Sequence, residues 1–316
     1  MAKNAAGSSA ATYSYLGPAG TFTEAALAQV PEAKGATWRP VHNVGEALDD
    51  VVTGRSVAAM IAIENSIDGG VSAAQDALAN IPDVRIIGEY IVPVTFDLVV
   101  RAGTTLADIT VINAHPVAYA QCRGWLEKNL PQHGHIPSPS NVAAAADLVS
   151  TQTAEAAIAP PGIVDHYDVS VLQANIGDNA RAETRFVLVS RTRELPAPTG
   201  RDKTSLIVEL PEDRAGVLLE MLEQFATRGV NLSLIQSRPV GDGMGRYRFV
   251  IDADGHVRDD RMADALLGLR RFSPRITFLG SYPRADGRPV VHDDRYADHV
   301  FNDARAWLDN ILGNER

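Results

Sequence analysis

The sequence predicts an α/β protein in which a larger mixed region is followed by a smaller domain of βαββαβ order. Three observations support this fold class. In the first 190 residues, apolar strand candidates are repeatedly followed by polar helix starts. Residues 191–202 contain two prolines and a glycine among charges, which is typical of a linker. The segment after the linker alternates strand and helix patterns in the order of a small α+β domain.

The first junction is residues 17–24, which lie between a strand candidate at 13–16 and a helix candidate at 25–29. Two glycines let a ligand approach the backbone, and the free N–H groups of a helix start favour an anion. Thr21 and Glu24 also have the spacing of a capping box, which needs no ligand. On this junction alone, capping is the simpler interpretation.

Further strand candidates end in the same way. Residues 58–63 are followed by the polar stretch 64–70, and residues 111–114 are followed by His115 and Pro116. Ser140 and Asn141 likewise form a polar start of the helix candidate 142–149. In the first of these, Ser72 and Gln75 are expected to cap the next helix. Recurrence at four strand ends indicates a ligand cleft, because open α/β sheets bind ligands beyond the carboxyl ends of their strands.

Composition and charge exclude several classes of function. The 316 residues are 45% apolar with a net charge of −10, and residues 1–190 hold 10 Lys and Arg against 19 Asp and Glu. Nucleic acid and anionic membranes are therefore unexpected partners. Residues 1–10 lack the apolar centre of a signal peptide, and no later segment is long enough to span a membrane. The single cysteine, Cys122, excludes an internal disulfide, so a cytoplasmic setting is expected.

Arg185 is the cation of interest, because it lies in the strand candidate 183–189 of an acidic region. Neighbouring strand residues point to opposite faces, so Thr184 and Arg185 cannot both face one cleft unless the strand bends. For Arg185, a structural ion pair and ligand binding both remain open. Thr184 taken alone is an ordinary strand threonine.

Other reactive side chains have structural interpretations. His115 precedes a helix-opening proline, a position that favours a structural role over an acid. Cys122 has no base pattern near it and is expected to be a buried thiol. The eight histidines show no metal-ligand spacing with cysteine or acidic partners, so metal dependence is not expected.

The second domain has the ferredoxin-like order of elements. Its predicted strands are residues 204–210, 230–236, 246–251 and 276–280, and its predicted helices are residues 215–228 and 258–269. Such a sheet has helices on one face only, so its edges are available for pairing with another copy. Residues 284–316 follow, with one apolar helical stripe that predicts packing on another domain or subunit. The stripe comprises Tyr296, Val300, Phe301, Ala304, Trp307, Leu308, Ile311 and Leu312.

Four segments resemble, in order, the signature blocks of monofunctional prephenate dehydratases. They are Gly17-Pro18-Ala19-Gly20-Thr21-Phe22-Thr23, Ile63-Glu64-Asn65-Ser66, His115-Pro116 with Gln121-Cys122, and Thr184-Arg185-Phe186. The resemblance runs from Tyr13 to about Pro283, and its last part is similar to that family's C-terminal ACT regulatory domain. Two positions depart from the common pattern, Ala114 where many members have serine and Gln236 where many have glutamate.

The resemblance implies a catalytic region of two α/β lobes like type II periplasmic binding proteins, with the chain crossing near 92–96 and returning near 171–175. The active site is then expected between the lobes. The implied boundaries are a disordered tail at 1–12, a catalytic domain at 13–190 with its second lobe at about 96–172, a linker at 191–202, an ACT domain at 203–283 and an extension at 284–316.

The resemblance further implies a carbon–oxygen lyase that converts prephenate to phenylpyruvate, CO2 and water in phenylalanine biosynthesis, without a cofactor. The implied catalytic residues are Thr184, Asn65 and Gln121, and the implied substrate-binding residues are Thr21, Ser66, Ser140, Asn141, Arg185 and Phe186. Thr184 is the expected proton or hydrogen-bond donor to the leaving hydroxyl. Two alternatives stay open, an arogenate dehydratase and a non-catalytic regulator that binds an anionic metabolite.

Feedback regulation by L-phenylalanine is also implied, with the effector held between the ACT domains of a homodimer or homotetramer. The implied effector residues are Ala215, Gly216, Val217, Leu218, Asn231, Gln236, Ser237, Arg238 and Pro239. The glycine allows close approach to the backbone, and the asparagine is expected to bind the amino-acid head group. No nucleic acid or membrane partner is implied.

Overall fold

The computed structural model describes residues 11–67, 69–241 and 245–313. The chain divides into two compact units, one of Met1–Ala74 with Tyr90–Phe186 and the other of Gln75–Glu89 with Val187–Arg316. The second unit therefore includes residues 75–89, which the sequence assigned to the catalytic domain. Most of the tail expected to be disordered lies outside the described residues, and Thr12 already belongs to the first strand.

The described part of the chain forms strands β1 to β15 and helices α1 to α9. The strands are β1 (Thr12–Leu16), β2 (Thr37–Val41), β3 (Ala58–Asn65), β4 (Gly69–Gly70), β5 (Arg85–Pro93), β6 (Asp97–Val100), β7 (Val111–Ala114), β8 (Gly134–Pro137), β9 (Ala156–Ala159), β10 (Ser170–Gln173), β11 (Glu183–Ser190), β12 (Asp202–Glu209), β13 (Leu232–Pro239), β14 (Tyr247–Asp254) and β15 (Arg275–Pro283). The helices are α1 (Phe22–Leu27), α2 (Val44–Thr53), α3 (Ser72–Asn80), α4 (Pro116–Gln121), α5 (Arg123–Asn129), α6 (Asn141–Ser150), α7 (Val217–Ala226), α8 (Asp260–Phe272) and α9 (Asp298–Leu312).

The first sheet has the order β2-β1-β3-β11-β5, with β4 paired to β3. Strand β1 runs parallel to both of its neighbours. Strand β3 continues two residues beyond the predicted run, so that Glu64 and Asn65 are strand residues. Helix α1 begins earlier than predicted, because Thr21 is its N-cap and accepts a hydrogen bond from the Glu24 amide at 3.3 Å.

The second sheet has the order β10-β6-β9-β7-β8 and forms the second of the two predicted lobes. Strand β6 starts at Asp97, close to the predicted crossing. The predicted return near 171–175 begins too early, since Val171 is still paired with Val99 of β6. The return segment therefore starts after Gln173. Apolar side chains of this lobe, including Phe96, Ile112 and Leu126, form a buried core that also contains the thiol of Cys122.

The third sheet has the order β13-β14-β12-β15, with strands and helices in the predicted βαββαβ order. Its core is formed by the sheet and by helices α7 and α8, with Phe225, Ile251 and Leu269 among the buried side chains. Strand β12 begins at Asp202, so the linker is one residue shorter than expected. Asp202 is 1% exposed and accepts hydrogen bonds from Thr199.

The C-terminal extension forms the predicted helix, α9, which packs on α8. The Asp260 amide donates to the Asp298 carboxylate at 3.0 Å, and Arg305 forms an ion pair with Asp260. Several apolar side chains of the predicted stripe remain exposed, namely Trp307, Leu308, Ile311 and Leu312. Within residues 11–67, 69–241 and 245–313, no helix combines the length and the apolar character that crossing a membrane requires.

Candidate active site

Asn65 and Thr184, at the ends of neighbouring strands β3 and β11, form a direct side-chain hydrogen bond. The Asn65 Nδ2 donates to Thr184 Oγ1 at 3.0 Å, although the residues are 119 positions apart in the chain. Thr184 is 8% exposed. Two of the three residues that the resemblance marked for catalysis, on separate segments of the chain, are therefore in contact.

The orientation of the Asn65 amide is fixed by the backbone. Its Oδ1 accepts the Ile67 N–H at 2.8 Å, so its Nδ2 must face Thr184. Because Thr184 Oγ1 accepts this hydrogen bond, the hydroxyl proton of Thr184 points elsewhere and can be donated. The pair thus prepares a neutral hydroxyl as a hydrogen-bond donor.

Ser66 holds the same strand ends together. Its Oγ accepts the Glu183 amide at 3.0 Å, and its own amide donates to the Glu183 carbonyl at 2.9 Å. Residue 64 is paired with 185, residue 65 with 184 and residue 66 with 183, so the two strand ends run antiparallel. Ser66 therefore fixes the register that aligns Asn65 with Thr184, and its predicted contact with substrate stays a prediction.

Glu64 and Arg185 form an ion pair through these same strands. Arg185 Nε lies 2.9 Å from Glu64 Oε2, and the Arg185 side chain is only 9% exposed. Since successive strand residues alternate between faces, this ion pair lies on the opposite face from Asn65 and Thr184. Of the two interpretations left open for Arg185, the structural ion pair is present; substrate binding by Arg185 remains a prediction.

A cavity of about 210 Å³ collects a second set of predicted residues. Its lining is Thr21, Phe22, His115, Pro139, Ser140, Asn141, Val142 and Pro160. Ser140 caps helix α6 and accepts the Ala143 amide at 3.0 Å. The cavity therefore receives the start of a ten-residue helix, whose N–H groups favour an anion. Among the described residues, those that line it include no carboxylate.

Asn141 contributes a polar atom with capacity for a ligand. Its Oδ1 is buried and has no hydrogen-bond partner among the described residues. His115 is the N-cap of α4 and its Nδ1 accepts the Val117 amide at 3.3 Å. The predicted structural role of His115 is thus present, although the residue also lines the cavity.

Three other residues have clear positions. Gln121 is half-buried at the end of α4, and its carbonyl accepts the Asp178 amide at 2.7 Å. Phe186 follows Thr184 and Arg185 in the sequence and lies in the core, where it is 2% exposed. Cys122 is a buried free thiol, as predicted, and burial together with the nearby Asp178 raises its pKa to about 12. The roles of Gln121 and Phe186 at the substrate stay predictions.

The sequence interpretation missed one side-chain contact beside the cavity. Glu24 was expected to complete a capping box, but its Oε2 accepts the Gly20 amide at 2.6 Å and pairs with His166 Nε2 at 3.0 Å. Burial, and secondarily the Glu24 carboxylate, raise the pKa of Tyr15 to about 12. A second cavity of about 500 Å³ lies here and shares Thr21 and Phe22 with the first. No local signal in the sequence connects residues 24 and 166.

The predicted effector residues lie at and just before the start of α7, and at and just before the strand β13. Gly216 is the N-cap of α7 with φ +86°, a conformation that favours glycine. Asn231 Nδ2 donates to Asp254 Oδ2 at 2.8 Å, so its amide is already engaged. Val217 is buried, whereas Leu218 is 38% exposed. Ala215, Ser237 and Pro239 are exposed.

These observations define a class of protein: a two-lobed α/β region with an amide–hydroxyl pair at strand ends, followed by a βαββαβ domain. Residues 13–194 match the prephenate dehydratase family and residues 204–271 match the ACT domain family. The prephenate dehydratase of Amycolatopsis methanolica is 39% identical over 303 residues, covering 96% of this chain and 98% of that protein. The chain belongs to the prephenate dehydratase family.

Solved structures agree with this assignment. The crystal structure of prephenate dehydratase from Arthrobacter aurescens in complex with L-Phe is 52% identical, with a TM-score of 0.91, and the match covers 96% of this chain and 99% of that one. A quorum-quenching acylase, GqqA, is 29% identical with a TM-score of 0.77, covering 86% of this chain and 97% of its own. The predicted fold class and family are confirmed.

Proposed function

We propose that this chain is a prephenate dehydratase, a lyase that converts prephenate to phenylpyruvate, CO2 and water and is regulated by L-phenylalanine through its ACT domain. The observation that carries the catalytic part is the Asn65–Thr184 hydrogen bond, because its direction leaves the Thr184 proton available for donation. No step of the proposal requires a cofactor.

The reaction needs help chiefly at the ring hydroxyl, since hydroxide is a poor leaving group. Thr184 Oγ1–H donates a hydrogen bond to that oxygen as the C–O bond breaks, and the oxygen leaves as water after gaining a proton. The electron pair of the bond to the ring carboxylate moves into the ring, which becomes aromatic as CO2 leaves. In total, the prephenate dianion and one proton give the phenylpyruvate anion, CO2 and water.

Threonine is a weak acid, so the hydroxyl acts by a strong hydrogen bond or by relaying a proton that it regains from water. Asn65 positions this hydroxyl. An uncharged pair suits a dianionic substrate, because a carboxylate in place of Asn65 would repel it. The 210 Å³ cavity, whose lining does not include Asn65 or Thr184, offers groups for the carboxylates of the substrate: the Ser140 hydroxyl and the N-terminus of α6. Thr21 also lines this cavity, and its hydroxyl donates to the Leu16 carbonyl at 3.2 Å.

Three alternatives have distinct requirements. Arogenate carries an ammonium group where prephenate has a keto oxygen, and the described residues that line the 210 Å³ cavity offer it no carboxylate, although Glu24 and Asp165 line the adjoining 500 Å³ cavity. An acylase needs an activated nucleophile or a metal-bound water, whereas the thiol of Cys122 is buried with its pKa raised to about 12. A non-catalytic regulator would bind prephenate without turnover. Prephenate dehydration is the function that the geometry favours.

The test is to incubate the purified protein with prephenate at neutral to mildly alkaline pH and to measure phenylpyruvate after adding base. We expect phenylpyruvate to form, and we expect L-phenylalanine to change the rate at which it forms. Arogenate and an N-acyl amide, the bond that an acylase cleaves, serve as competing substrates in parallel reactions. If arogenate or the N-acyl amide is turned over and prephenate is not, the proposed activity is wrong. If prephenate binds and no substrate is turned over, the chain is a non-catalytic regulator.

We also propose that copies of the chain associate through their ACT domains as a homodimer or homotetramer in the cytoplasm. Strands β13 and β15 are the edges of the third sheet, and Leu219 and Ile235 are exposed apolar residues on the predicted effector elements. Pairing of such edges would bury these side chains. Sedimentation equilibrium with and without L-phenylalanine tests the oligomeric state.

A further inference from the structure

Helix α3 is held by the strand that carries the predicted effector residues. Both oxygens of the Asp76 carboxylate accept hydrogen bonds from Arg238: Nη2 donates to Oδ2 at 2.6 Å, and Nε donates to Oδ1 at 3.3 Å. Arg248 Nη2 donates to Asp76 Oδ1 at 2.8 Å, and its side chain is 7% exposed. Two arginines of neighbouring strands thus converge on one carboxylate, an arrangement that fixes its geometry more strongly than a single surface ion pair.

Gln75, the preceding residue, makes a second connection. Its Nε2 donates to Gln236 Oε1 at 2.7 Å, and the residue is 1% exposed. The sequence predicted Gln75 as a helix cap; instead, its amide points to β13. Gln236 is the position at which this chain departs from the common glutamate. A neutral amide there pairs with the neutral amide of Gln75.

Strand β13 has two faces with different roles. Gln236 and Arg238 are half-buried and contact α3, whereas Ile235, Ser237 and Pro239 are exposed. This alternation is expected of a strand. An effector on the exposed face therefore does not need the Arg238 side chain as a ligand, because that guanidinium is already committed to Asp76. A shift of β13 on effector binding would instead be transmitted to α3.

Helix α3 leads directly back to Asn65 along the chain. Shortly before the helix begins, Gly69 and Gly70 of β4 pair with Asn65 and Glu64 of β3. Gly69 has φ +78°, the left-handed conformation that favours glycine in such a tight connection. A displacement of α3 therefore acts on the short hairpin whose other strand holds Asn65.

The division of the chain into compact units agrees with this connection. Residues 75–89 group with the ACT unit, although they lie within the segment that matches the prephenate dehydratase family. The boundary falls between Ala74 and Gln75, immediately before the two residues that contact β13. Gln75 and Asp76 are thus the first residues of α3 that belong to the regulatory unit.

We infer that Gln75 and Asp76 are positioning residues that link effector occupancy of β13 to the placement of Asn65. This inference rests on the proposed function. Arg238 and Gln236 act on α3 as the connecting side chains, and the effector is held by the exposed face of β13 and the start of α7. Helix α3 is then an element whose position depends on both the effector site and the active site, which is what heterotropic coupling requires.

The test compares Asp76→Asn with the wild-type chain. Without L-phenylalanine, we expect kcat and KM for prephenate within about twofold of wild type, because Asp76 has no contact with substrate in the proposed mechanism and the link displaces Asn65 only when the effector shifts β13. Direct binding of L-phenylalanine, measured by calorimetry, is expected to persist. The change that saturating L-phenylalanine causes in prephenate affinity, about 5- to 150-fold for typical coupling, is expected to fall towards onefold.

Asp83→Asn is the matched control, since Asp83 lies on the same segment, is exposed and is 3.9 Å from Arg193. It should respond to L-phenylalanine as wild type does. Gln75→Met removes only the amide contact and is expected to weaken the response partially. If circular dichroism shows that Asp76→Asn does not fold, Gln75→Met is used in its place. Unchanged L-phenylalanine response in folded Asp76→Asn, or in Gln75→Met where it takes its place, would overturn the inference.

A reciprocal measurement separates coupling from general damage. In a Thr184→Ala background, which is expected to bind prephenate without turning it over, prephenate should change the Kd of L-phenylalanine by the same factor by which the effector changes prephenate binding. Adding Asp76→Asn should reduce this factor towards one. If wild type itself neither binds nor responds to L-phenylalanine, the proposed regulation fails; if wild type responds and Asp76→Asn responds equally, only this inference fails.

Discussion

The two faces of the β3–β11 strand pair carry side-chain pairs of different chemistry. On one face, Asn65 donates to Thr184 in a neutral hydrogen bond. On the other face, Arg185 pairs with Glu64 as two ions. The alternation of strand side chains separates the two pairs, although they are adjacent in sequence on both strands.

The difference teaches which pair suits chemistry on a dianion. An ion pair is already neutralised and contributes mainly to holding the two strands together. A hydroxyl that accepts a hydrogen bond keeps its own proton available, and a neutral pair does not repel the substrate. The neutral pair is therefore the catalytic one in the proposed mechanism, and the ion pair links the two strands. Substitutions on each face break the comparison in different measurements.

The largest effect is expected from Thr184→Ala. Removing the proton donor should lower kcat by about 10²- to 10⁴-fold, the usual contribution of a general acid. Prephenate binding, measured by calorimetry, should remain. Thr184→Ser retains the hydroxyl and is the matched control, with a much smaller loss. Equal losses in the two variants would show that the methyl group matters rather than the proton.

Asn65→Asp should have the next largest effect. The carboxylate is nearly isosteric but cannot donate, so the Thr184 hydroxyl would donate to it and its proton would no longer face the substrate. The added negative charge also repels the dianion. We expect a loss in kcat/KM larger than that of Asn65→Ala, for which about 10-fold corresponds to one lost orienting hydrogen bond. Steady-state rates of the two variants test this order.

On the opposite face, Glu64→Gln should affect stability more than rate. It removes a carboxylate from a guanidinium that is 9% exposed, but Glu64 is 34% exposed, so solvent lessens the cost. We expect a loss of about 1–2 kcal/mol in the free energy of unfolding. Urea unfolding measures it. Glu127→Gln, in the exposed Arg123–Glu127 pair, should have a much smaller effect on unfolding. A kcat loss in Glu64→Gln as large as in Thr184→Ala would make the charged face catalytic.

The smallest effect is expected from alkylating reagents at Cys122, which belongs to neither face. Burial, followed by the Asp178 charge, raises the pKa of this thiol to about 12, so only about 10⁻⁴ of it is thiolate at about pH 8. Iodoacetamide should therefore leave the folded protein unmodified and fully active. The same reagent in urea should label the single cysteine of each chain, detected by mass spectrometry. Rapid labelling of the folded protein would contradict the buried position.

Several local features could be predicted from the sequence because their causes lie within a few residues. Thr21 and Ser140 cap their helices through amides three positions further on, as the spacing indicated. The βαββαβ order follows from periodicity and turn residues alone. Element ends were less accurate: β3 extends through Asn65, and the return from the second lobe begins after Gln173. Strand pairing decides these ends.

The resemblance of the signature blocks selected Asn65 and Thr184, but only the tertiary structure decided which atoms meet. The Asn65–Thr184 contact spans 119 positions, and the Gln75–Gln236 contact spans 161. No local pattern distinguishes Gln75 as a capping residue from Gln75 as a partner of β13. By itself, the sequence determined the caps of α1 and α6, the βαββαβ order of the second domain and the family. Long-range pairings were decided by packing, because they depend on which strands and helices the chain brings together.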